Sequence, residues 1–220
     1  MKPSFALNLS HDGISLLRRA KGGWRPVDAV ALGDPDFTEK LRFMRSTAAE
    51  LAGGQFATKL IIPNSQILYR DIAVAQASAT ERPDLIREKL DGTTPYAIND
   101  LRFAWCDAAG DMVQVAVVAT QTLQEAEAFA TEHRFNPVSF VAVPDPGMFF
   151  GEPFFGEASF AIALLGNAGR VDPDADRIEI LDSAAIEALD DHIATTPSPD
   201  PADLAEIERE QFENIFAEEP

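Results

Sequence analysis

The chain has 220 residues, 46% of them hydrophobic, and a formal net charge of −18, which is apolar material enough for one packed domain and a remainder. The charge is unevenly spread: through Phe140 there are 17 acidic and 15 basic residues, and from Val141 onward 19 acidic and 3 basic. Neither part has the clustered Lys and Arg that counterion release on phosphate backbones requires, so nucleic acid and anionic membrane surfaces are excluded as preferred partners.

Taken in chain order, alternation predicts a strand over 5–9, a turn at His11-Asp12-Gly13, a second strand over 14–19, a Lys21-Gly22-Gly23 turn and a third strand over 24–32. Three strands joined by short turns make an antiparallel meander. Asp34-Pro35 predicts a helix start, and Phe37, Leu41, Met44, Ala48 and Leu51 follow on one face until Gly53-Gly54. A short apolar run at 58–62 reads as a buried strand, Pro63-Asn64-Ser65 breaks it, and a further strand spans 66–74.

Thr80 is the expected cap of a second helix to about Leu90, with Pro83 in its first turn. A hairpin follows, 101–105 and 112–119 around Ala109-Gly110-Asp111. Thr122 with Glu125 reads as a capping box opening a third helix to about His133, and Asn136-Pro137 stops it before a strand over 138–143. Beyond Pro144 the composition changes. Four phenylalanines lie among glycines and proline at 148–156, an apolar run spans 160–165, and from Asn167 the chain is rich in Asp, Glu, Ala and Pro, predicting a largely extended tail with short helices at 183–193 and 201–217. The expected division is a lobe over 1–146, a Phe-rich segment over 147–166 and an acidic tail over 167–220.

This order of elements resembles the first lobe of the actin-like proteins of bacterial envelope machines, the type IV pilus assembly protein PilM and the cytoplasmic domain of the type II secretion protein GspL. The supporting passages are Lys59-Leu60-Ile61-Ile62-Pro63-Asn64-Ser65 followed by Ile67-Leu68-Tyr69-Arg70, the stretch from Asp84 to Leu90 followed by Pro95-Tyr96, the hairpin opening at Leu101-Arg102-Phe103, then Glu125 to Phe129, Phe135 to Val138 and Val141 to Pro144. The similarity covers about residues 4 to 148. It implies an α/β fold: a single RNase H-like, actin-like lobe with a mixed sheet, a three-strand meander plus further strands, and about three helices.

Departures from the family pattern bear on function. Actin-like ATPases carry an acidic residue on the first strand before a glycine-containing phosphate hairpin. Here that strand has Asn8, whose amide cannot replace a carboxylate in positioning hydrated Mg²⁺, and Asn8 to Gly13 has no second glycine. About 75 residues follow the lobe without the strand-rich pattern of a second one. The expectation is no catalytic residue, no metal and no cofactor. The alternative is a nucleotide-binding actin-like protein completed by a second lobe or chain, with Asn8, Ser10, Asp12 and Gly13 at the phosphates.

Other suggestive residues have plain readings. His11, His133 and His192 are isolated, and Cys106 is the single cysteine, which excludes an intrachain disulfide and fits a reducing compartment. Ser10-His11-Asp12 is too local for a triad, which is assembled from distant segments. Asp172, Asp174 and Asp176 alternate as in a calcium loop, but Arg177 and Ser183 occupy the positions that need glycine and glutamate, so a solvated acidic linker is expected.

Two segments are candidate partner sites. Phe149, Phe150, Phe154 and Phe155 either fold back over the sheet or present an aromatic anchor. Leu204, Ile207, Phe212, Ile215 and Phe216 lie along one side of the last predicted helix, fit to dock on a partner. The reading is therefore a non-catalytic interaction or scaffold module. By resemblance it is an adaptor of a pilus or secretion machine, cytoplasmic and reaching the inner membrane only through a partner, either the cytoplasmic segment of an inner-membrane protein or a motor ATPase. No stretch reaches membrane-span length, so direct insertion is not expected.

Overall fold

The computed structural model describes residues 1–74, 77–166 and 169–181. The leading meander forms as its turns predict: β1 (Phe5–Leu9), β2 (Gly13–Ala20) and β3 (Gly23–Ala31) pair antiparallel in sequence. β4 (Thr58–Ile62) then lies parallel to β1, β8 (Pro137–Ala142) parallel to β4, and β9 (Phe154–Glu157) antiparallel to β8. The resulting sheet has six strands in the order β3-β2-β1-β4-β8-β9. A second sheet, β5-β7-β6, consists of β5 (Ile67–Ala73), β6 (Leu101–Asp107) and β7 (Met112–Ala119), all antiparallel.

Strand alternation assigns the two faces of the main sheet. Phe5, Leu7, Leu16, Leu60, Ile62 and Phe140 point to one face, where α1 (Phe37–Ala52) contributes Leu41, Met44 and Ala48 and α3 (Thr120–Glu132) contributes Leu123, Ala126 and Ala130. Ala6, Leu17, Trp24, Ile61 and Val141 point to the other. Among the described residues, Phe154 of β9 and Ile178 of the closing leg, residues 169–181, pack on that face. The second sheet buries Ile72, Val113, Val115 and Val117 against Ile86 and Leu90 of α2 (Arg82–Leu90), while its other face shares the main core through Ala116 and Val118.

Helix starts differ in detail from their sequence signals. Asp34 accepts the Asp36 N–H at 2.9 Å, so it shapes the turn before α1, which opens at Phe37. Thr80 does not cap α2: Glu81 is the residue before the helix, with no side-chain cap bond, and its carboxylate accepts the Ser78 N–H and O–H at 3.0 and 2.6 Å in the turn ahead of it. The capping box at Thr122 does not form, because β7 runs straight into α3 and Ala119 is both the last strand residue and the helix cap. Gly53 ends α1 in the left-handed region at φ 69°, as its position after the apolar face requires.

The apolar run at 160–165 falls within a short helix, α4 (Ser159–Leu165), whose Ala161 packs with Ala57, Val138 and Val171. The compact unit extends to Ile180. The closing leg is extended, as its composition predicts, but Val171 and Ile178 are buried and Trp24 pairs with Ile180 across a single parallel bridge. Among the described residues no helix is long and apolar enough to cross a membrane.

Candidate functional site

Asn8, Ser10, Asp12 and Gly13 lie at the β1–β2 turn, beside the carboxyl ends of the parallel strands β1, β4 and β8, where open α/β sheets place ligands. The turn is closed on itself. Ser10 Oγ donates to the Gly13 carbonyl at 2.8 Å and accepts the Gly13 N–H at 3.1 Å, and the Ser10 N–H also bonds Gly13 O at 3.0 Å. Those two amides are thus committed within the hairpin. Asn8 reaches Ser15 Oγ at 3.4 Å, and His11 Nε2 lies 2.6 Å from Ser65 Oγ. Gly13 is needed for space: a Cβ there would stand 2.2 Å from the Val30 carbonyl oxygen.

The four phenylalanines separate. Phe149 and Phe155 are buried in the main core, and Phe154 is half-buried beneath the sheet. Phe150 is 80% exposed. It rises where two hollows meet. A cleft of about 920 Å³ runs from the β2–β3 turn to the closing leg, past Trp24, Gln114, Gly147 and Arg177. A smaller one of about 330 Å³ lies along Phe103 to Cys106 of β6. Both are bounded by Phe149, Phe150, Gly151, Asp174 and Ala175. Gly151 (φ 86°) is required here, because a Cβ would stand 2.9 Å from the Ala175 carbonyl oxygen of the leg. Cys106 borders the smaller hollow, where burial pushes its thiol up.

A buried ionic cluster forms the wall between this cleft and the sheet. Lys59 sits in the middle of β4, a strand with every residue buried. Its ammonium donates to Glu152 at 2.5 Å and to Asp174 at 2.8 Å, and lies 4.6 Å from the centre of the Trp24 ring. Arg19 grips Asp174 with two bonds, 3.2 and 2.6 Å, while its guanidinium stacks on the same indole at 4.5 Å. Lys2 adds a third cation to Asp174 at 3.2 Å. Burial works against the Asp174 carboxylate, but Arg19, Lys59 and Lys2 outweigh it and hold its pKa far below the ordinary value. Burial raises Glu152, against the pull of Lys59. Asp174, read from sequence as part of a solvated linker, is therefore an anchor with its side chain 11% exposed.

Sequence reasoning missed this cluster. The available signal was Lys59, a lone cation inside the apolar run 58–62, which requires a buried counter-charge. Nothing local identified Glu152 and Asp174, 93 and 115 residues away, as its partners. Leu204, Ile207, Phe212, Ile215 and Phe216 lie outside the described residues.

Comparison with known proteins agrees with this topology. No protein-family model matches the sequence, and no curated protein matches it. Among solved structures, the chain is similar to the cytoplasmic domain of EpsL, an inner membrane component of the type II secretion system of Vibrio cholerae, with a TM-score of 0.50 and 10% identity over 88% of this chain and 95% of that one. The chain has the fold of the EpsL cytoplasmic domain. A PilM–PilN type IV pilus biogenesis complex is also similar, with a TM-score of 0.42 and 15% identity over 60% of this chain and 43% of that one. The mixed α/β lobe expected from the order of elements is thus observed, and its fold is the one shared with the EpsL cytoplasmic domain. In this EpsL-like lobe, the six-stranded sheet carries the ionic cluster and the three-stranded sheet borders the cleft.

Proposed function

We propose that the chain is a non-catalytic adaptor that binds another protein at the cleft beside Phe150. The observation that carries this reading is the contrast at that cleft: an aromatic side chain 80% exposed, set among polar groups that already satisfy one another. A large exposed aromatic at the mouth of a hollow is the usual form of a binding anchor. By contrast, a catalytic centre needs titratable groups free to act on a substrate. The EpsL fold supports the same direction, since EpsL is an inner membrane component of a secretion system. The partner proposed is the cytoplasmic segment of an inner-membrane assembly protein, with a motor ATPase as the second candidate, and the chain itself would then work on the cytoplasmic side.

The reading is tested by placing a photo-crosslinking residue at position 150 and, as control, at the exposed Asp84 of α2. A specific adduct with an envelope-machine component from position 150 alone is expected. Equal labelling from both positions overturns the assignment. The nucleotide alternative depends on the β1–β2 turn, whose Ser10 and Gly13 amides are committed internally. Calorimetry with Mg-ATP is expected to give no micromolar binding, and micromolar affinity would displace the adaptor reading.

A further inference from the structure

Two of the three cations around Asp174, Arg19 and Lys59, are also held by contacts that do not involve it. Arg19 Nε donates to the Pro3 carbonyl at 3.1 Å and the guanidinium rests on Trp24. Lys59 is held by Glu152 and the same ring. The receptor half of the contact thus belongs to β2 and β4 of the main sheet and, through Lys2, to the segment that leads into β1. The anion comes from a different source, an extended leg with two buried apolar side chains, Val171 and Ile178. Without Asp174, the buried Lys59, the partly exposed Arg19 and the half-exposed Lys2 would face the single carboxylate of Glu152, an arrangement that favours any anion able to enter.

From this geometry we propose that Lys2, Arg19 and Lys59 form a carboxylate-binding site on the sheet, which the closing leg occupies in cis and which an extended acidic segment of a partner protein can occupy in its place. The leg itself shows the chemistry required. In an extended chain, alternate residues project to one side, and Asp172 and Asp174 both meet cations, Asp172 at 2.9 Å from the Met1 ammonium and Asp174 at the cluster. Its backbone also joins the β3 edge, with the Trp24 N–H donating to Glu179 O at 2.7 Å, and bonds the first residue of the chain, with the Asp172 N–H donating to Met1 O at 2.9 Å. An incoming acidic strand would reuse these contacts. The site adjoins the Phe150 cleft, since Arg19, Trp24 and Asp174 line both, so exchange of the leg would reshape that cleft. This last consequence rests on the adaptor reading; the carboxylate site does not.

The test uses the full chain carrying D174A, with D174N as the isosteric variant should D174A fold poorly, and E88A, at an exposed position of α2 away from the leg, as control. Thermal unfolding is followed in chloride, acetate and inorganic phosphate at equal ionic strength. D174A is expected to lose about 5–10 °C and to regain a substantial part of it in acetate or phosphate, with no such regain for wild type or E88A. Trp24 emission in a W105F background, quenched or shifted by its two cations, should follow the same anions. An unchanged Tm for D174A, or identical behaviour in all three salts, overturns the site. A synthetic peptide of the 170–180 sequence is then titrated. Binding to D174A about tenfold tighter than to wild type, lost when its aspartates are replaced by asparagine, is expected. Rescue by acetate without peptide binding would overturn the acidic segment as ligand while leaving the adaptor reading to the crosslinking at position 150.

Discussion

Lys59 and Glu152 face each other at 2.5 Å across 93 residues of sequence, with side chains 2% and 1% exposed. One comes from the centre of the main sheet and the other from the connection between β8 and β9. Their contact therefore ties that connection to the sheet. Removing one partner of such a pair leaves a buried charge without compensation, typically costing about 3–5 kcal/mol. K59M is expected to destabilise the chain by about that amount, and the double variant K59M/E152L to recover most of it. Urea denaturation monitored by circular dichroism checks both.

The pH dependence follows from opposite shifts within one cluster. Asp174 has a folded pKa below its ordinary value of 3.8, so its contribution is fully present above that value and is lost as pH falls toward the depressed one. Glu152 is shifted the other way, above 4.5; its ionisation opposes folding increasingly as pH rises through the raised value. The stability difference between wild type and D174N should therefore be largest near neutrality and shrink below pH 3.8. For wild type against E152Q the acid limb should show the opposite trend. Urea midpoints collected across acidic and neutral pH measure both slopes.

The four phenylalanines should divide by burial. F155A removes a ring 5% exposed in the main core and is expected to cost about 3–5 kcal/mol. F150S alters a ring in solvent and is expected to leave the unfolding midpoint within about 0.5 kcal/mol of wild type, while weakening partner capture. A folded F150S that captures its partner normally would remove Phe150 from the proposed site.

Gly13 offers a test of what the β1–β2 turn is for. G13A forces a methyl group against the Val30 carbonyl, 2.2 Å from the ideal Cβ position, and is expected to cost about 1–3 kcal/mol through displacement of β3. The loss should show in thermal unfolding irrespective of added Mg-ATP. Protection of wild type but not G13A by nucleotide would mean that the turn holds phosphate.

Local signals carried much of the fold. The meander was legible because each strand ends at a turn of distinctive composition, and α1 because five apolar residues fall on one face before two glycines. The helix starts were legible only to within a few residues. Thr122 and Glu125 have capping-box spacing, but β7 enters α3 without a break, so the first free amides lie elsewhere. β9 left no clear signal, since Phe154-Phe155-Gly156-Glu157 has little alternation and becomes a strand through pairing with β8.

The sequence by itself determined the order of elements, the near-neutral lobe with its acidic remainder, and the uncharged residue Asn8 on the first strand. These are local or compositional properties, set by periodicity, turn chemistry and residue type. Tertiary structure decided which face of the sheet the later residues cover, which one of four phenylalanines meets solvent, and where Lys59 finds its counter-charges. Each of those depends on contacts between residues far apart in the chain. Alternation places a side chain on a face but does not name what arrives there, and only the packed sheet brings Arg19, Lys59, Glu152 and Asp174 to one point.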